Sequence, residues 1–255
     1  MASFGGCGGT ISREHYISES ILEEIGDLDM GGLPWMTEGK RLRLPASALA
    51  ANVLCKDHNS AYASLDDLGL RNFRNLKDAT EEIIKFSISS KVSHTLMSGS
   101  GMEFWALKCL AGMYYGRIAA ADRHRLRDVR EMNIDLLREI MMTRRFPSHC
   151  GLYVRTREVD PRGIDVAFAP LLTASHVIGI RIRWFYIEFE IIFDPTGVNF
   201  DALGTEALYR PRMLTLKCQS RITYIIMTYL EPTDPAQFIT NGLQVIATVP
   251  PRRAS

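Results

Sequence analysis

Two periodicities divide the chain. Up to residue 146 most apolar positions recur at helical spacing, and beyond it they fall in short blocks separated by Gly, Pro and Asp turns. Thr10–Tyr16 reads as a strand, and Ser18 or Ser20 caps a short helix to about Ile25, because Glu residues follow in its first turns. The stretch Gly31-Gly32-Leu33-Pro34-Trp35 is a turn or loop, Arg41–Leu44 alternates as a strand does, and Leu49–Leu54 reads as another strand. Tyr62, Leu65, Leu68 and Phe73 share one face of a helix expected from Lys56 to Leu76. A strand at Phe86–Met97, a glycine turn at Ser98–Gly101 and a core helix from Met102 to about Arg117 follow. A second long helix is expected from about Ala121 to Met142.

After Pro147, the blocks Gly151–Val159, Ile164–Leu172, Val177–Trp184, Tyr186–Phe193, Met213–Cys218 and Ile222–Leu230 read as strands of an antiparallel sheet. The expected fold class is therefore α+β. Its segments are 1–76 carrying the chemistry, a helical region 77–146, and an antiparallel β domain 147–255. The end, Val249–Ser255 with PPRRAS, reads as frayed.

Composition narrows the classes. A chain of 255 residues can bury a sizeable core, and its 46% hydrophobic and 23% charged content is that of a globular protein. Net charge is +1, so any contact with nucleic acid must come from local clusters of Arg and Lys. The most apolar run, Trp184–Phe193, is interrupted by Glu188 and Glu190 and is too short to span a bilayer, so no membrane partner is expected. Five scattered cysteines fit reduced thiols and one metal site better than a disulfide scaffold, and residues 1–15 lack the basic-then-apolar pattern of a secretory signal. The chain reads as cytoplasmic.

Two stretches carry candidate chemistry: Cys7-Gly-Gly-Thr-Ile-Ser-Arg-Glu14-His15, and Asn52-Val-Leu-Cys55-Lys-Asp57-His58-Asn59. Hydrolysing a phosphodiester needs a deprotonated water and a cation at the leaving oxygen. A neutral imidazole near its natural pKa suits the first task, and a carboxylate with a side-chain amide offers oxygen ligands for a hard divalent ion. Neighbours on a strand point to opposite faces, so Glu14 and His15 can divide these roles only where the strand ends or bends.

An acidic residue before His, followed by Cys-x-x-His-Asn where a helix opens, resembles the HNH/ββα-metal endonuclease superfamily, in a layout similar to that of the phage junction-resolving endonucleases. Gly32–Trp35 and Leu54–Asp66 also resemble uncharacterised bacterial HNH proteins. The resemblance covers about the first 75 residues. It implies a ββα-metal motif with His15 as general base and Glu14 and Asn59 as ligands of Mg²⁺ or Mn²⁺. It also implies a structural zinc knuckle built from Cys7, Cys55 and His58. The family's first Cys-x-x-Cys is reduced here to Cys7 beside Gly8 and Gly9, leaving three of the four ligands zinc prefers. Residues 26–44 lengthen the spacing between His15 and Asn59, and Asn52 corresponds to the family's bracing Asn at a shifted offset. DNA is the expected partner, with RNA left open; bacterial origin follows from the resemblance alone.

Other residues have blander readings. Asp57 is an acid favoured by the helix dipole, while Cys109, Cys218 and the stretch Met102–Tyr115 are core. His94, His124, His149 and His176 are structural or surface residues. Arg123, Arg127, Arg130 and Arg138 form a stripe on the expected second helix, a solvated face or a phosphate-contacting one. A rival function is a catalytically silent zinc knuckle, the C-terminal sheet then binding a partner or assembling a homo-oligomer.

Overall fold

The computed structural model describes residues 10–26, 28–31, 33–34, 36–37, 40–84, 90–116, 125–155, 166–185, 187–218, 220–230 and 242–246. The chain begins with β1 (Ile11–His15), α1 (Glu19–Ile25), β2 (Leu28–Gly31), β3 (Arg41–Leu44), β4 (Ala50–Cys55) and α2 (Lys56–Ile84). It continues through β5 (Lys91–Ser98), α3 (Gly99–Tyr115), β6 (Glu131–Met132) and α4 (Ile134–Thr143). Then come β7 (Gly151–Arg155), β8 (Val166–Leu172), β9 (His176–Trp184), β10 (Ile187–Ile192), α5 (Phe200–Glu206), β11 (Ala207–Tyr209), β12 (Met213–Cys218), β13 (Arg221–Thr228) and β14 (Gly242–Ile246).

These elements form an α+β fold with two mixed sheets and a separate hairpin. The larger sheet has the order β11-β7-β10-β9-β8-β2-β3, with β6 beside β9; the smaller has the order β14-β12-β13-β5; β1 pairs with β4 alone. Expectation and structure differ at the pairing. The C-terminal strands are not a purely antiparallel sheet, because β12 runs parallel to β14, β13 to β5, and β8 to β2. Strands from residues 28–44 complete the larger sheet and a strand from 91–98 completes the smaller. The expected segments 1–76, 77–146 and 147–255 therefore share sheets, and one buried cluster runs from Tyr16 to Met227.

Helix α3 explains this interleaving. Every residue from Gly99 to Tyr114 is buried, so the helix has no solvent face and must be covered all round. β9, β10 and β7 of the larger sheet cover one side, and α2 and β13 cover others. Trp105 and Trp184, both fully buried, meet at 5.2 Å, and Phe73 of α2 packs edge-on against Trp184 at 5.3 Å. Each such side chain contributes roughly 1.5–3 kcal/mol of apolar burial. The turn expected at Ser98–Gly101 is instead the first turn of α3, where Ser98 Oγ accepts the Gly101 amide. Gly99 fits there because a Cβ would lie 2.3 Å from the Tyr229 ring.

The long helix expected over Ala121–Met142 is realised only as Ile134–Thr143. Asp128 closes a short turn on the Arg125 amide, Glu131 and Met132 pair with β9, and Asn133 caps a new helix by accepting from the Leu136 amide. Two residues with local side-chain-to-backbone hydrogen bonds, Asp128 and Asn133, together with the β6 pairing, outcompete the helix there. The arginine stripe does not form: Arg127, Arg130 and Arg138 fall on a short turn, a bend and α4, and Arg123 lies outside the described residues. Helix α2 instead extends eight residues beyond Leu76, keeping Ala79 and Ile83 on its buried face. Strand β5 begins at Lys91; residues 86–89 of the expected strand lie outside the described ones. β2, α5, β11 and β14 had no strand or helix assigned in advance. Among the described residues no helix is long and apolar enough to cross a membrane.

A buried ion pair joins the layers. Glu103 of α3 accepts from Arg210 Nε at 2.7 Å and from the Leu152 amide of β7 at 2.8 Å, while the Arg210 amide donates to the Leu152 carbonyl. Gly151, at φ +135°, admits this pair: a Cβ would lie 2.7 Å from both Arg210 Nε and Glu103 Oε1. Arg210→Met leaves a buried carboxylate without its cation and is expected to cost about 3–5 kcal/mol. Urea denaturation checks this, and Glu103→Gln combined with Arg210→Met is expected to recover part of the loss.

Candidate functional site

The first site residues sit on the hairpin. β1 and β4 pair antiparallel, with Ile11 opposite Cys55, Glu14 opposite Ala51 and His15 opposite Ala50; the register shifts between Ser12 and Glu14. This is the pairing expected from Thr10–Tyr16 and Leu49–Leu54. β4 passes without a loop into α2 at Lys56. A strand, a strand and a helix thus follow in close spatial order, although β2 and β3 intervene in sequence.

His15 ends β1, 22% of its side chain exposed, with Nδ1 3.9 Å from Glu19 Oε2 one helical turn on. Glu14 and Asn52 are placed by their backbones on β1 and β4. The register shifts between Ser12 and Glu14, where β4 advances three residues for two of β1, and Glu14 and His15 then pair regularly with Ala51 and Ala50 at the end of the strand. Asn59 lies half-buried in the first turns of α2, and Asp57 is exposed in the first turn, where an acid is favoured by the helix dipole.

Cys55 and His58 are brought together, with Sγ 3.0 Å from Nδ1. Cys-x-x-His across a strand-to-helix junction turns both side chains to one side, and the thiol and imidazole are donor types that zinc takes. Cys7, the third expected ligand, lies outside the described residues. Among the described residues no group of three or more His, Cys, Asp or Glu is placed to hold a metal ion. Cys55, Cys109, Cys150 and Cys218 are all buried and free. Burial pushes the Cys109 thiol well up and the Cys150 thiol up to about 12, so both stay protonated in the core.

Along the hairpin, Cys55 and His15 stand at opposite ends, four strand residues or roughly 13 Å apart. Helix α2 starts at the Cys55 end. It leaves β4 beside Ile11 and runs back along β1, because Asp66, ten residues into the helix, accepts from Ser18 Oγ at 2.6 Å. Asn59 lies between these two anchors, on the stretch of helix that returns toward His15.

The anchor itself was not foreseen. Ser18 Oγ accepts from Trp105 Nε1 at 2.9 Å, and Lys108 Nζ donates to both Asp66 oxygens at 2.6 and 2.7 Å. The Lys108 side chain is only 4% exposed. One hint was legible: Lys108, like Glu103, is a lone charge in an apolar helix, and such a charge must find a partner. Together Ser18, Asp66, Lys108 and Trp105 fix the chain just after His15 against α2 and α3.

No family model matches the chain, and no curated protein or solved structure matches it.

Asp66→Ala leaves a nearly buried ammonium unpaired. Because Asp66 is 26% exposed, the expected loss is reduced from that of a fully buried pair to about 2–3 kcal/mol. A double-mutant cycle with Lys108→Met checks it, with a coupling above about 1 kcal/mol expected for residues in direct contact.

Proposed function

We propose that this chain is a metal-dependent endonuclease of the HNH type, hydrolysing DNA phosphodiester bonds with His15 as general base and Glu14 and Asn59 as the oxygen ligands of a divalent ion. The observation that carries the reading is the β1/β4 hairpin passing directly into α2. It sets Glu14 and His15 at the end of one strand and Asn59 on a helix returning along that strand.

The donor set fits a hard ion in type: a carboxylate and an amide oxygen, with Mg²⁺ or Mn²⁺ the matching metals. When bound, such an ion would stabilise charge on the phosphorane and on the leaving oxygen. The remaining work belongs to the chain. His15, partly exposed at the strand end, can take the proton of a water molecule approaching the phosphorus. Glu19 Oε2 stands 3.9 Å from Nδ1, one helical turn on. The Ser18–Asp66–Lys108 link keeps the residues after His15 from shifting as charge develops. Cys55 and His58 provide two donors for a structural zinc, with Cys7 as a third.

The silent-knuckle reading has its own support, because Val92 and Leu96 are 57% and 62% exposed on the smaller sheet, as a partner-binding face would be.

His15→Ala is expected to reduce divalent-dependent plasmid cleavage by about 10²- to 10⁴-fold while leaving the fold and DNA binding intact. Glu14→Ala and Asn59→Ala should instead move activity to higher Mg²⁺ or Mn²⁺. Wild-type rates in His15→Ala would remove His15 as the base. Absence of cleavage by the unaltered protein with any divalent ion or DNA form would favour the silent knuckle.

A further inference from the structure

The outer face of the larger sheet carries two columns of arginine. Register aligns Arg183 with Ala167, Ala167 with Asp29, and Asp29 with Arg43 across β9, β8, β2 and β3. Two residues along, Arg181 pairs with Ala169 and Gly31 with Arg41. Because alternate strand residues share a face, Arg181 and Arg183 rise from β9 and Arg41 and Arg43 from β3 on the same side. Three strand spacings separate the columns, about 14 Å. Between them β8 presents the half-exposed Ala167 and Ala169.

Charge is layered by depth here. Arg181 lies against Glu190 and Arg183 against Glu188, yet the carboxylates are the buried members: the side chain of Glu190 is 3% exposed and that of Arg181 42%. Arg41 and Arg43 are exposed on β3. At β9 an approaching ligand therefore meets guanidinium groups before it meets Glu188 and Glu190, while Asp29 of β2 stands opposite Arg43 on the same face, and the planar fork of each guanidinium suits a phosphate.

We infer that this face docks double-stranded DNA through its phosphates, and that β9 and β3 hold the two strands of one duplex. The column spacing is close to the roughly 12 Å width of the B-form major groove. A single strand would call for aromatic platforms on which bases stack, and the strip between the columns carries Ala167 and Ala169 of β8 and Asp29 and Gly31 of β2. A protein partner would call for large apolar or aromatic anchors, which the strip also lacks. The chain path ties the face to the catalytic reading. β3 runs through Pro45 and the turn at Ala46–Leu49 into Ala50, which opposes His15, and the Tyr16 amide donates to the Leu49 carbonyl at 2.8 Å. The inference deepens the proposed nuclease function by making its substrate a duplex, and rests on that reading only for the cleavage step.

Binding can be read without cleavage. Fluorescence anisotropy of a labelled 20-base-pair duplex, with chelator present and salt varied, compares the protein with Arg41→Gln/Arg43→Gln and with Ala167→Glu, which sets a second carboxylate in the strip beside Asp29. Circular dichroism confirms folding of each. The arginine variant is expected to bind about tenfold more weakly, its log–log salt slope shallower by about 2 for two lost phosphate contacts. Ala167→Glu is expected to weaken binding too, and Lys91→Gln/Lys217→Gln, on the other sheet, to leave it unchanged. Unaltered affinity and slope in both face variants, no duplex binding by the unaltered protein, or preference for single-stranded DNA or duplex RNA overturns the inference. Face-dependent duplex binding without cleavage under any divalent ion leaves the inference standing and removes the nuclease reading.

Discussion

A carboxylate and a guanidinium, both almost wholly out of water, hold the two sheets to one helix. Glu103 reaches from α3 to the β7 amide and to Arg210, and Arg210 lies on the link between β11 of the larger sheet and β12 of the smaller. The rings of Phe146, Tyr209 and Tyr229 surround the guanidinium at 5.3 to 5.7 Å, replacing water with aromatic faces. An isolated charge at this depth would be prohibitive, so each partner confines the other to one geometry. The strands on either side inherit that geometry. Arg210 itself sits at φ +41°, a backbone state that an arginine adopts here under the grip of its hydrogen bonds.

The second buried pair, Asp66–Lys108, works at a smaller scale and nearer the candidate site. It is fastened to Ser18 and through Ser18 to Trp105, so the start of α1, α2 and α3 meet at four side chains. The catalytic proposal concerns the half-buried His15 and Asn59, and this more deeply buried clamp lies a few residues from each.

How much could be read from the residues depended on whether the deciding interaction was local. The apolar run from Met102 to Tyr115, the hairpin strands and the start of α2 were legible because periodicity and capping are short-range. So was the Cys55–His58 contact, since Cys-x-x-His across a helix start brings the two together. The break before Asn133 was not legible because Asp128 and Asn133 fall inside an otherwise helical pattern, although both bond to nearby backbone. Strand partnership beyond the β1/β4 hairpin was not legible: Val92 and Ile222 alternate with their neighbours in the same way whether they pair with each other or with another strand. At the site, residue types pointed to Glu14, His15 and Asn59, whereas the Asp66–Lys108 clamp depends on residues 42 positions apart.

That the helix without a solvent face is covered by strands made much later bears on the protein's birth. α3 ends at Tyr115, and β13, which flanks it and pairs with β5, ends at Thr228. At ordinary elongation rates, roughly 5 to 25 s pass between the emergence of the two from the ribosome. For that interval a segment with sixteen consecutive residues destined for burial has no finished surface to lie against. The nascent chain would need shelter from a holding chaperone, or slow collapse onto α2, to reach its last strands without aggregating.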